Sequence, residues 1–174
     1  MNLNNAGIYI HIPFCRSKCP YCDFYSLRLD EDSAGAYTDS LLRRIPALAS
    51  RYGVSADTIY LGGGTPSALG AERIARIVGA AREFAGKGAE ITVECNPFDA
   101  AKKGLDFALL KEAGVNRISM GMQSANDGER RALGRLSGRA ERQGRCLSRR
   151  QARPGRGNRK YFARSHARGT RSDG

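Results

Sequence analysis

"GIYIHIPFCRSKCPYCDF", residues 7–24, runs from a strand-like apolar stretch straight into three closely spaced cysteines, Cys15, Cys19 and Cys22. Residues 7–12 are rich in Ile and Tyr, the composition of a strand on a pleated surface. The CX3CX2C loop that follows is short enough to wrap three thiolates around one soft metal site. Structural zinc wants four protein ligands, commonly built from two separated CX2C-type pairs. Only one cluster exists here, because Cys95 lies in another strand and Cys146 in the basic carboxy-terminal stretch. Three ligands suit a 4Fe-4S cluster in which one iron stays open to a small molecule. Zinc with a fourth ligand from elsewhere, and incidental thiols, stand as alternatives.

Outward from this stretch, strand and helix patterns alternate. Residues 34–52 place Leu41, Leu42, Ile45, Leu48 and Ala49 at helical spacing, with Pro46 expected to kink or shorten the helix. "DTIYLGGGTPS" (57–67) is a short apolar strand running into three glycines. Ile74, Ile77, Val78, Ala81 and Phe84 then form an apolar helical stripe. "AEITVECNP" (89–97) is the third strand, and "LDFALLKEAGVN" (105–116) is a helix ended by Gly114. "RISMGMQS" (117–124) is the fourth strand and leads into a helix near "NDGERRALGR" (126–135). This order implies right-handed βαβ units and a parallel sheet, which both an open doubly wound sheet and a (β/α) barrel satisfy.

Composition divides the 174 residues. Residues 1–134 carry 16 basic against 15 acidic side chains, whereas residues 135–174 carry 13 against 2, so the formal charge of +12 belongs to the end of the chain. That end has few large apolar residues and no sustained period, and it is expected to be a disordered basic tail. Its arginines could bind nucleic acid nonspecifically by counterion release, although only Tyr161 and Phe162 are interleaved with them. No stretch approaches the roughly 20 apolar residues of a membrane span, and no basic region precedes an apolar one at the amino terminus. The expectation is a soluble cytoplasmic protein without a membrane span. In that reducing compartment clustered cysteines point to metal or catalysis rather than disulfides.

"YIHIPFCRSKCPYCDF" resembles the cluster loop of the radical S-adenosylmethionine proteins, in particular the oxygen-independent coproporphyrinogen III oxidase family with its heme-chaperone relatives. "GGGTPS", "VECNP" and "NRISMGMQSAND" recur in the same order, and the likeness runs from about Gly7 to Arg135. The resemblance implies a (β/α) barrel, here a partial one with about four parallel strands over residues 1–135, followed by the Arg-rich tail 136–174. It implies Cys15, Cys19 and Cys22 as cluster ligands. The open iron would take the amino and carboxylate groups of S-adenosylmethionine, whose reductive cleavage yields methionine and a 5'-deoxyadenosyl radical. By the same resemblance Tyr9 and Tyr21 line the cofactor pocket, and Gly63, Gly64 and Thr65 meet its amino-acid moiety. Gln123 is implied as a hydroxyl-binding amide and Arg135 as a carboxylate partner. No residue is assigned a catalytic role of its own.

Some of these positions also have local reasons. Glycines 62–64 follow an apolar strand, where backbone can approach a ligand at the carboxyl end of a parallel sheet. The run lacks the Lys-Ser/Thr of a phosphate loop. Strand alternation puts Thr92 and Glu94 on the face opposite Ile91, Val93 and Cys95. In a barrel lumen Glu94 should meet a polar or cationic ligand, because an unpaired buried charge is expensive. Cys95 reads as a small buried hydrophobe, His11 as a structural histidine beside the loop, and Cys146 and His166 as without a role.

Within the family, the oxidases resemble a pattern with a further cysteine close behind the third ligand. Here Asp23 and Phe24 follow Cys22, which favours the heme-chaperone branch, with heme or a porphyrinogen, an electron donor and a heme acceptor protein as implied partners. A barrel of this family has six βα units and a further domain, and the fifth strand is expected where the chain turns Arg-rich. GC-rich codons read out of phase give many Arg, Gly, Ala and Pro, so residues from about Leu136 read as frameshift sequence, which the nucleotide sequence decides.

Overall fold

Strand β1 (Asn4–Ile12) leads into the cysteine loop, whose ends are tied by the short strands β2 (Phe14–Cys15) and β3 (Leu27–Arg28), paired in parallel. There follow α1 (Glu31–Tyr52), β4 (Ser55–Gly63), a 3-10 turn (Pro66–Leu69), α2 (Ala71–Arg82), β5 (Ala85–Cys95), α3 (Pro97–Lys102), α4 (Phe107–Ala113) and β6 (Arg117–Met120). A last strand, β7, spans Lys160–Ala163. The computed structural model describes residues 4–19, 21–102, 104–121, 123, 124, 126 and 160–163.

The strands form one parallel sheet in the order β1-β4-β5-β6-β7. Each new strand adds beside the last without reversing direction across the sheet. A doubly wound sheet reverses its strand order at a switch point, whereas a barrel wall grows in one sense, so this order is that of a barrel wall. The four strands β1, β4, β5 and β6 are those the apolar runs predict. A fifth strand, β7 ("KYFA"), pairs in parallel with β6 within the stretch read as basic tail. Tyr and Phe have high strand propensity, and β6 without β7 would offer an unpaired edge. The expected helix near 126–135 and the rest of the basic tail lie outside the described residues.

Helix α1 also departs from expectation. It starts at Glu31, before the apolar stripe, because the Asp30 side chain accepts a hydrogen bond from the Ser33 amide, and Glu31 and Asp32 oppose the helix dipole. It runs for 22 residues, with Pro46 in its interior, and is capped by Gly53 at φ 55°. Pro46 neither ends nor shortens it. Buried Ala34, Thr38, Ile45 and Ala49 anchor the helix on both sides of the proline, and this packing outweighs the lost backbone bond.

The sheet has two unlike faces. Ile10 and Ile12 of β1, Ile59 and Leu61 of β4, and Ile91, Val93 and Cys95 of β5 share one core with Ile74, Ile77, Val78 and Ala81 of α2 and Leu110 of α4. Helix α1 lies against α2, and α2 against α4. On the opposite face Tyr9, Tyr60, Thr92 and Arg117 stand in register across four strands. Arg117 Nη1 donates to Glu90 Oε1 at 2.9 Å on that face. A parallel sheet covered by helices on one face and alternating along each strand is compatible with a barrel wall. Among the described residues no helix is long and apolar enough to cross a membrane.

Candidate functional site

The cysteine loop leaves the carboxyl end of β1 and folds back against the root of that strand. Leu27 N donates to Pro13 O at 2.6 Å and Leu29 N to Cys15 O at 2.8 Å, so the loop is closed at its neck. Cys22 N donates to Cys19 O at 3.1 Å, forming a tight turn between the second and third thiols. Cys15, Cys19 and Cys22 are half-buried and free of disulfides. Tyr21 stands exposed between the last two.

The glycine turn locks onto this neck. Gly64 N donates to Ile12 O at 2.8 Å and Thr65 N to Phe14 O at 2.7 Å. A Cβ on Gly64 would come within 2.7 Å of the Phe14 carbonyl oxygen. Gly63 has φ +113°, and a Cβ there would strike the His11 ring at 2.5 Å. The close approaches these glycines permit are therefore to the chain itself. The Thr65 hydroxyl then lies 3.4 Å from Cys15 Sγ.

A polar cluster stands beside the turn on the far face of the sheet. Glu94 is half-buried and accepts from the Tyr60 hydroxyl at 2.6 Å and from Gly63 N at 3.3 Å. Tyr9 stacks on Tyr60 with ring centroids 6.1 Å apart. Burial, and then the nearby Glu94 charge, push the Tyr9 hydroxyl above its ordinary pKa. His11 Nε2 faces the Tyr25 carbonyl at 3.2 Å, so in the neutral ring it donates, leaving Nδ1 to accept from Tyr9 Oη at 3.2 Å. His11 thus ties β1 to the cysteine loop, the structural role its position suggests. Sequence reasoning missed Tyr60, although alternation along β4 puts it on the face of Tyr9 and Glu94.

Cys95 faces the other way. It is 3% exposed, within the helix-side core, and burial pushes its thiol up to about 12. Next to it, Asp99 is buried and joined to Arg16 Nε at 2.8 Å and to the Ser67 hydroxyl at 2.7 Å. Neither residue carries a sequence signal stronger than its neighbourhood to a motif. Gln123 lies past the end of β6 with φ 64°, a left-handed conformation uncommon for a residue with a side chain. Arg135, Cys146 and His166 lie outside the described residues.

The structure brings Cys15 to Thr65, and Glu94 to Gly63, Tyr60 and, electrostatically, Tyr9. It does not draw the three loop thiols together: among the described residues no three His, Cys, Asp or Glu side chains converge closely enough to hold one metal ion. Metal binding to such loops is coupled to their ordering. The donor set, three free thiols on one short loop, fits a cluster with an open iron.

A sequence profile of the Radical SAM superfamily matches residues 9–144, extending past Arg135, where the resemblance read from the motifs stops. Heme chaperone HemW of Escherichia coli (strain K12) is 40% identical over 146 residues, covering 81% of this chain and 38% of that protein. Anaerobilin synthase of Escherichia coli O157:H7 is 39% identical over 135 residues, covering 75% and 30% respectively. Among solved structures, coproporphyrinogen III oxidase (HemN) from Escherichia coli, described as a Radical SAM enzyme, matches with TM-score 0.64 and 29% identity over 79% of this chain and 32% of that one. The chain spans 30–38% of the length of these relatives. With barrel-wall strand order, a cysteine loop and a glycine turn joined at one end of the sheet, and likeness over most of its length, the chain belongs to the Radical SAM superfamily.

Proposed function

We propose that the chain holds a 4Fe-4S cluster on Cys15, Cys19 and Cys22, binds S-adenosylmethionine beside it, and serves heme metabolism in the cytoplasm as a protein that binds heme and hands it to an acceptor. The observation that carries this reading is the junction of the cysteine loop with the glycine turn, where Thr65 Oγ1 stands 3.4 Å from Cys15 Sγ. A ligand reaching the loop from the polar face of the sheet would meet Gly63, Gly64 and Thr65 first. Glu94, oriented by Tyr60 and Gly63, offers negative charge to a cationic group. Tyr9 and Tyr21 supply aromatic walls, and Gln123, held in its left-handed conformation, supplies an amide to a hydroxyl. Arg135 belongs to the same reading as a carboxylate partner. Cys15, Cys19 and Cys22 would hold the cluster, which when bound and reduced by a separate protein donor would supply the electron for cleaving the sulfonium.

The heme-chaperone branch is supported by Asp23 and Phe24 behind Cys22 and by the HemW relatives. Coproporphyrinogen decarboxylation is the second reading, supported by the likeness to HemN. Anaerobic reconstitution of the full chain tests the first claim. Wild-type protein should take up about four iron and four sulfide per chain, and Cys19→Ala should lose at least half of both. Folded wild-type protein devoid of acid-labile sulfide overturns it. Saturable binding of added heme without consumption of coproporphyrinogen supports the chaperone reading, and turnover of coproporphyrinogen overturns it.

A further inference from the structure

We infer that Arg16 and Asp99 form a clamp that positions the cysteine loop for metal, an inference that rests on the cluster reading above. Asp99, at the start of α3, is 2% exposed. A carboxylate that deep is costly unless it is paired and hydrogen-bonded. It has both kinds of partner: Arg16 Nε at 2.8 Å on Oδ1 and the Ser67 hydroxyl at 2.7 Å on Oδ2. Ser67 Oγ in turn accepts from Asn96 N at 2.9 Å, and Arg16 Nη2 donates to Ala68 O at 3.5 Å.

These contacts join three segments that are far apart in the chain. Arg16 directly follows Cys15 inside the CX3CX2C loop, Ser67 and Ala68 belong to the turn after the glycines, and Asn96 and Asp99 follow the carboxyl end of β5. The loop neck is held by backbone bonds at Pro13, Phe14 and Cys15, but those bonds leave the direction of the next residues open. The ion pair supplies a tie there: it fixes the residue next to Cys15 to Asp99 of α3, and Arg16 also reaches the 3-10 turn at Ala68. A loop already anchored loses less conformational freedom on closing. Arg16 and Asp99 are positioning residues, with no contact to a reacting atom.

The test is the rate at which an excess of iron chelator strips anaerobically reconstituted full-length protein, alongside thermal unfolding of the metal-free chain. Outer partners of metal ligands commonly change metal retention by 10–100-fold, so Arg16→Met and Asp99→Asn should each lose iron about tenfold faster than wild type. Asp99→Asn leaves no unpaired buried charge and therefore tests the geometry without the penalty Arg16→Met carries. Arg16→Lys, which keeps the charge, should stay within about threefold of wild type. Arg73→Met breaks an ion pair of equal length to Glu31 on the helix layer, 2.8 Å, and should retain iron as wild type does. Retention within threefold of wild type in both Arg16→Met and Asp99→Asn overturns the clamp. Loss in Arg73→Met equal to that in Asp99→Asn also overturns it, since it would make the effect one of general stability. Wild-type protein that takes up no iron and sulfide overturns the cluster reading itself, and the clamp with it.

Discussion

Cys95 and the loop cysteines carry the same functional group in opposite surroundings, and chemistry should separate them. In metal-free native protein, iodoacetamide should modify Cys15, Cys19 and Cys22, and reach Cys95 only on unfolding, because only the thiolate reacts and burial holds Cys95 protonated up to about 12. Peptide mass spectrometry reads this directly, and Cys95 labelling as fast as Cys22 would contradict it. The same shift has a pH consequence. The unfolded chain releases this proton near 9.0 and the folded chain only near about 12, so its contribution is intact below 9.0 and fades as pH rises between them. Tyr9 and Tyr37, also raised chiefly by burial, act in the same sense. Cys95→Val should flatten the alkaline loss measured by urea unfolding. Gly63→Ala combines φ +113° with a 2.5 Å clash on His11, and should cost about 1–3 kcal/mol. The glycine run is plain in the sequence, yet the partners that demand it, the His11 ring and the Phe14 carbonyl, belong to a segment some fifty residues away and could not be read from it.

At the level of elements, α1 holds two opposed tests. Pro46→Ala restores a helix amide and should stabilise the protein by roughly 2 kcal/mol, the helix penalty of proline less its benefit in the unfolded chain. Gly35, in the same helix, has nothing within 4 Å of a Cβ, so Gly35→Ala should add about 0.5–1 kcal/mol. Urea midpoints check both, and a Pro46→Ala variant less stable than wild type would show that the helix depends on its proline. The α4 cap is a third case: Asp106 Oδ1 accepts from Leu109 N at 3.0 Å, and Asp106→Ala should lose about 1 kcal/mol. The apolar spacing of α2 and the Gly114 stop of α4, at φ 113°, are local properties and were legible. The start of α1 at Glu31 was not, because the Asp30 cap on Ser33 sets it three residues ahead of the expected Ala34.

For the whole molecule, the outer strands among the described residues are β1 and β7, and an open barrel wall with free edges invites association between copies. The full chain alone should unfold at low denaturant and associate as its concentration rises; a monomeric, cooperative thermal transition at high concentration would contradict this. The four strands, their parallel sense, the cysteine and glycine motifs and the two-faced alternation of β5 were determined by the sequence alone, because each is set by residue type and short-range periodicity. Strand order was not, since an alternating pattern serves both barrel and doubly wound sheets until lateral neighbours are known. Nor could the sequence place β7 beside β6, pair Tyr60 with Glu94, or bring Arg16 to Asp99, a separation of 83 residues. Those contacts belong to the tertiary structure, because burial of a charge or closure of an edge acts between surfaces that meet only when the chain has folded.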